Sequence, residues 1–235
     1  MRKLQDLTPS FLILGAKEYP FGAGAKEDVF ASGGMEVYTE QLAQLLARRG
    51  VKVTVITRKF AHQSAHEVQK GVEIRRVAWL KGFLLRNPSF NLNALREMFF
   101  LPRRSCNTIV ANGVIATLTG IVASWFKRIF GERVKVIARP AGIAWVQPQY
   151  NFVVKSALLM LETTAYKLAD AVVFLSQPEK EQFVKKMGFL PKRNVIIPTG
   201  VDPQRFKSAN GAQVRKQLGV KKDGKLIVFV GRLIE

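Results

Sequence analysis

Short apolar runs of strand length alternate with segments of helical period along nearly the whole chain. FLILGA (11–16), VKVTVIT (51–57), VEIRRVAW (72–79), NTIVANG (107–113), VKVIARPAG (134–142), AVVFLS (171–176) and NVIIPTGVD (194–202) read as strands. VEIRRVAW alternates and is expected near a sheet edge. Helical patterns lie between most of them, at 115–129, at 151–169, and from Ser176, with Pro178 in its first turn and Glu179 three residues on, to Gly188. Strands that alternate with helices imply right-handed crossovers and a parallel sheet covered on both faces, an α/β fold. Ligands of such sheets bind beyond the carboxyl ends of the strands, which points to the loops 17–34, 112–114, 139–150 and 198–203.

The first helix opens in SGGMEVYTEQLAQLLARRG, residues 32–50. Met35, Tyr38, Leu42, Leu45 and Leu46 share one face of a 3.6-residue period, with Glu36, Glu40, Gln41, Gln44 and Arg48 mostly away from it and Gly50 as the stop. Gly33 and Gly34 at its mouth have two readings. They are a flexible entry to a helix, or a phosphate cradle in which φ > 0 and a missing side chain let an anion reach free helix N–H groups.

Composition narrows the function. The 235 residues contain 48% hydrophobic and 10% aromatic residues, enough for a core and unlike a disordered chain. One cysteine, Cys106, and two histidines, His62 and His66, exclude a disulfide framework and argue against a metal centre or a Cys–His nucleophile. No metal or cofactor is expected. FLILGA is too short for a signal segment, and the uncharged run 105–126 is broken by Asn112-Gly113 and several hydroxyl residues, so no membrane span is expected. The single cysteine fits a reducing cytoplasm, which is the expected compartment. Lys and Arg number 37 against 17 Asp and Glu, a net charge of +20, which attracts polyanions. The cations come as scattered pairs such as Arg48-Arg49, Arg103-Arg104, Lys127-Arg128 and Lys192-Arg193, with no basic tail, which argues against a nucleic-acid arm.

Beyond Asp202 the texture becomes polar, basic and glycine-bearing, with a short helix expected over 210–218, and KLIVFVGRLIE then reads as a new strand. The expected organisation is a domain over 1–203, a linker over 204–224, and the first strand of a truncated second domain over 225–235, its remainder missing from the chain or supplied from elsewhere.

The ordered set SGGMEVYTEQLAQLLARRGVKVTVIT, LADAVVFLS, VIIPTGVDPQRF and KLIVFVGRLIE resembles the retaining, nucleotide-sugar-dependent glycosyltransferases of the GT-B fold, family 4. The resemblance covers essentially the whole chain. It implies two Rossmann-like domains facing across a cleft, with residues 11–203 on the acceptor side and 225–235 opening the donor side. It also implies that Gly33 and Gly34 lie near the donor diphosphate, that Arg232 pairs with the diphosphate from the second domain, and that the partners are a nucleotide-sugar and a glycan or lipid-linked acceptor. Arg232 otherwise reads as a solvated strand-end cation.

Three stretches depart from the family pattern. Arg139-Pro140-Ala141-Gly142 stands where many members have His-Gly, Ala111-Asn112-Gly113 replaces a His-bearing loop, and Thr199-Gly200-Val201-Asp202 replaces Asn-Gly-Val-Asp. Asn112, Arg139, Gly142, Thr199 and Gly200 are candidates for the cleft and acceptor; Arg139 adds positive charge to the cleft or is a structural loop arginine. Retention does not demand the paired carboxylates of glycoside hydrolases, and none is evident; Glu27 and Asp28 contact acceptor hydroxyls or are solvated loop charges. In residues 79–104, Trp79, Phe83, Leu84, Leu85, Phe99 and Phe100 mix with Lys81, Arg86, Arg96, Arg103 and Arg104. That mixture fits an anionic membrane face, or a core helix that buries Leu92, Leu95 and Phe99 under a basic rim. Peripheral contact with the inner face of a membrane is the expectation. The alternative to an enzyme half is a non-catalytic binding module or an inactive fragment.

Overall fold

The computed structural model describes residues 9–24, 27, 33–82, 85–140, 151–201, 203, 211–221 and 224–229. Two compact units divide the chain, Met1–Thr199 and Gly200–Glu235. In the first unit the elements run β1 (Ser10–Leu14), α1 (Gly34–Arg48), β2 (Lys52–Arg58), β3 (His66–Gln69), β4 (Val72–Val77), α2 (Arg86–Phe100), β5 (Thr108–Asn112), α3 (Val114–Ile129), β6 (Lys135–Arg139), α4 (Phe152–Leu168), β7 (Ala171–Phe174), α5 (Gln177–Met187) and β8 (Asn194–Ile196).

These strands form one sheet in the order β3-β4-β2-β1-β5-β6-β7-β8, parallel throughout except for the β3–β4 hairpin. The central register pairs Ile13 with Val55 on one side and with Val110 on the other. From β1 the chain steps through α1 toward one edge, and from β4 it crosses back through α2 to β5 and continues toward the other edge. Right-handed crossovers thereby put α1 on one face and α2 and α3 on the opposite one. Side chains follow this division. Leu12 and Leu14 pack with Phe90, Ala94 and Met98 of α2 and Ala116 and Ile121 of α3, whereas Ile13 packs with Ala43 of α1. Leu12 and Ile13 are fully buried, each side chain contributing about 1.5–3 kcal/mol. A third cluster joins Ala138, Tyr166, Phe174 and Phe183 of β6, α4, β7 and α5. The start of α5 matches its sequence signature: Ser176 Oγ accepts the Glu179 N–H at 3.2 Å, the Glu179 carboxylate accepts the Leu175 N–H, and Gly188 closes the helix at φ 71°.

Several expectations need correction. The strand at 72–79 stands next to the edge, as expected, but β3, a four-residue polar strand that was not expected, pairs outside it. The inner face of α1 is centred on Glu36, Thr39 and Ala43, with Leu42 and Leu46 beside them, and Leu45 is exposed. Glu36 thus points inward rather than away. In α2 the buried stripe is Phe90, Ala94 and Met98, with Leu95 and Phe99 partly buried and Leu92 exposed. In the second unit α6 (Gly211–Gln217) has no buried residue, and Arg215 Nη1 donates to the Gly224 carbonyl at 2.8 Å. Residues 224–229, expected to begin a strand, are not paired into one, and 230–235 lie outside the described residues.

Candidate functional site: a crevice at the sheet reversal

Because β1 feeds α1 on one face and β5 feeds α3 on the other, the carboxyl ends of β1 and β5 part into a crevice, the place where parallel α/β sheets take ligands. Two glycines shape it. Gly15 follows β1 at φ 100°, and a Cβ there would overlap the Asn112 carbonyl; Gly113 follows β5 at φ 88°. A side chain at Gly15 would push the two strand ends apart. Between them opens a cavity of about 220 Å³ whose lining includes Gly15, Lys17, Arg58, Asn87, Asn112 and Glu162.

The glycines at the mouth of α1 are partly as expected. Gly33 is extended, φ −175° and ψ −172°, a backbone any residue adopts, so its value is not a left-handed turn. What the pair supplies is space: nothing lies within 4 Å of where a Gly34 Cβ would be, and a Gly33 Cβ would stand 3.3 Å from Glu36 Oε2. Among the described residues no side chain caps the helix, which leaves first-turn N–H groups open at the positive end of its dipole. The loop before it is tied down internally. Glu18, fully buried, accepts the Gly22 and Gly24 N–H groups at 2.6 Å each, Glu36 accepts the Lys17 N–H at 3.1 Å, and Glu40 accepts the Phe21 N–H at 3.0 Å. Those donors are unavailable to a ligand. Glu27 accepts the Ala61 N–H, a loop clasp, and Asp28 lies outside the described residues.

Asn112, Arg139 and Thr199 come together. Asn112 and Arg139 are register partners at the ends of β5 and β6. Asn112 Nδ2 donates to Thr39 Oγ1 of α1 at 3.3 Å, and its Oδ1 has no partner among the described residues. The Arg139 guanidinium lies over the Tyr38 ring of α1, 3.8 Å from the centroid, and donates from Nη2 to Thr199 Oγ1 at 3.3 Å. Its Nε is buried without a partner, no carboxylate pairs with it among the described residues, and desolvation holds its pKa below the ordinary value. A buried cation with unspent donors beside an open helix N-terminus suits an anionic ligand. Gly200 is exposed in the second unit, whereas Gly142 and Arg232 lie outside the described residues.

Sequence reasoning missed Tyr38 as the shelf for Arg139, having assigned it to the core. It also missed Arg58, which is 1% exposed, donates to Asn87 Oδ1 at 2.7 Å and lies 4.8 Å from the Trp79 centroid. A cation closing a β-branched run, VKVTVITR, is the signal that marks Arg58. Glu162, fully buried, interrupts the apolar segment FVVKSALLMLETT of α4. Among the described residues no group of three or more His, Cys, Asp or Glu could hold a metal ion. Cys106 is buried, and that burial raises its thiol pKa, an inert environment.

A parallel sheet with helices on both faces and an anion-suited crevice at its reversal is a Rossmann-like domain of the GT-B kind. Residues 32–205 match the model of Glycosyltransferase Family 4, and the chain belongs to that family. D-inositol 3-phosphate glycosyltransferase of Acidothermus cellulolyticus is 28% identical over 223 residues, covering 86% of this chain and 47% of the relative. The protein of the same name from Kineococcus radiotolerans is 27% identical, covering 86% and 48%. The chain thus spans about half the length of these curated relatives. Among solved structures, Anabaena Alr3699/HepE in complex with UDP-glucose superposes with a TM-score of 0.59 at 17% identity over 89% of this chain and 50% of that one. Its complex with UDP gives 0.56 over 90% and 50%. That likeness is one of fold.

Proposed function

We propose that this chain is the acceptor-side half of a retaining glycosyltransferase that moves a sugar from a nucleotide-sugar donor to a glycan or lipid-linked acceptor. The observation that carries the reading is the juxtaposition of the uncapped α1 N-terminus, open above Gly34, with the unspent donors of Arg139. Transfer breaks the bond between anomeric carbon and phosphate while negative charge grows on the diphosphate. Backbone N–H groups at Gly33–Gly34 and the helix dipole stabilise that charge from this side, and Arg232 does so from the donor side. Arg139, Asn112 and Thr199 orient the sugar or acceptor. Family membership and relatives named for transfer to D-inositol 3-phosphate support the donor–acceptor scheme, and the HepE complexes support a uridine nucleotide. The site needs no metal in this scheme. The enzyme acts in the cytoplasm, in peripheral contact with the inner face of an anionic membrane, and the linker and donor strand follow at 204–224 and 225–235.

Calorimetric titration of the chain with UDP-glucose tests the proposal. Saturable binding that UDP competes away is expected, with no detectable sugar transfer by this chain alone. Absence of competition by UDP, or measurable transfer by the chain alone, would overturn the half-site reading.

A further inference from the structure

The basic pairs that are scattered in sequence are gathered by the fold. In a parallel sheet every strand starts at the same end, so helix C-termini and the loops that enter strands collect there. Arg103-Arg104 lie between α2 and β5, Arg128 is in the last turn of α3, Arg133 precedes β6 and Lys135 opens it. Arg48-Arg49, Lys52 and Lys192-Arg193 flank other strand starts at this pole. Favourable helix dipoles account for cations in a last helical turn, but not for those in the entering loops.

At this pole an open groove of about 660 Å³ is lined by Arg128, Arg133 and Lys135 together with Glu132 and Asp170. Both acids are committed internally. Glu132 pairs with Lys127 at 3.6 Å and accepts the Arg104 N–H at 2.9 Å, and Asp170 accepts the Val136 N–H at 2.8 Å. Among the described residues no carboxylate pairs with Arg103, Arg128, Arg133 or Lys135. Beside the groove stand large apolar side chains that the core does not use: Ile129 is 78% exposed and Phe100 76%, with Trp125 and Phe130 about half exposed. Phe130 packs on Phe126 and beneath Arg103, whose guanidinium lies 5.6 Å from its centroid. Phe126 in turn stacks on Phe99 of α2, so the ends of α2 and α3 form one surface.

We propose that this pole is a docking face for an anionic phospholipid bilayer. Exposed aliphatic and aromatic side chains ringed by unpaired arginines match a headgroup layer above acyl chains, because the cations meet lipid phosphates while Ile129, Phe100 and Trp125 enter the interface. A broad basic pole with apolar side chains among its cations fits an extended plane better than one compact anion. The surface gives a face to the membrane contact proposed above and rests on that part of the reading, while the transfer chemistry stands or falls separately. The cavity lies at the start of α3 and this patch at its end, about 24 Å along a 16-residue helix, so the docking face and the crevice are separate places on the domain. It is also distinct from Trp79 and Lys81, which lie beyond the carboxyl end of β4.

Co-sedimentation of the chain with vesicles tests this. Vesicles of phosphatidylcholine containing phosphatidylglycerol are expected to bind the chain at least tenfold better than phosphatidylcholine alone, with the excess lost at high salt. The Arg128→Glu/Arg133→Glu pair should lower that partition roughly thirtyfold or more. Ile129→Ser should lower it severalfold with charge unchanged, and it remains informative if the charge-reversed pair fails to fold by circular dichroism. Lys59→Glu/Lys81→Glu, the same charge change at the carboxyl ends of β2 and β4, should leave binding close to that of the parent chain. No preference for anionic vesicles, an equal loss in the Lys59/Lys81 pair, or unchanged binding by Ile129→Ser would each overturn the proposal.

Discussion

Gly34→Ala separates a binding role from a folding role at the mouth of α1. Gly34 is the first helical residue, its missing Cβ would meet nothing within 4 Å, and its neighbour Gly33 is already extended. Alanine therefore fits without strain and restricts the unfolded chain, which stabilises the fold by about 0.4–1 kcal/mol. For a chain of this size that is a Tm increase of roughly 1–4 °C. Binding should move the other way. A diphosphate held by the first-turn N–H groups needs N···O distances near 2.9 Å, and a methyl group at the mouth keeps it back. Losing one hydrogen bond to a charged group costs about 1.5–3 kcal/mol, or roughly 10–150-fold in Kd. A thermal melt and a UDP-glucose titration on the same preparation give both numbers. A variant with higher Tm and unchanged affinity would refute the phosphate role, and a lower Tm would refute the reading of the helix start.

Other perturbations probe the surroundings. Arg139→Met removes a desolvated cation that makes no ion pair among the described residues, so urea unfolding should show stability within about 1 kcal/mol of the parent or above it, while UDP-glucose affinity falls at least tenfold. Glu18→Ala strands the Gly22 and Gly24 N–H groups and should cost about 2–4 kcal/mol by the same measurement. Phe183→Ala opens the cluster where Phe183 meets Tyr166 and Phe174 rings at 5.4 and 5.1 Å, a loss of about 3–5 kcal/mol. Burial pushes the Tyr19 hydroxyl up to about 12. The folded state thus keeps this proton longer than the unfolded chain, and the associated stability is complete below about pH 10 and lost as pH rises through about 12. Tyr19→Phe should flatten that alkaline decline, of the order of 2–3 kcal/mol, in unfolding curves taken across it.

The central strands were legible because β1 and β2 are buried on both faces and so read as continuous apolar runs, which Leu12, Ile13, Val55 and Ile56 illustrate. The edge was not. HEVQ of β3 is polar and leaves Val68 68% exposed, so neither apolar content nor alternation marks it, and only the hairpin partner makes it a strand. Periodicity also misplaced the inner face of α1. Thr39 and Ala43 lie inward because small residues let a helix approach the sheet, and Glu36 is drawn in by the Lys17 N–H, a long-range bond that no local pattern records. At the site, the candidates at strand ends, Asn112 and Arg139, followed from the rule that ligands meet carboxyl ends. Arg58 and Tyr38 did not, since their roles depend on what Trp79 and Arg139 bring from elsewhere in the chain. The convergence of the basic pairs at one pole is likewise a property of parallel topology, invisible until strand order is known.

Amide and guanidinium NMR of the chain during titration with UDP-glucose tests the donor half-site most directly. Shifts concentrated at the Gly34, Met35 and Glu36 amides and at the Arg139 Nε–H, reversed by excess UDP, are the predicted result. Saturable binding that leaves these resonances in place and perturbs amides elsewhere would contradict it.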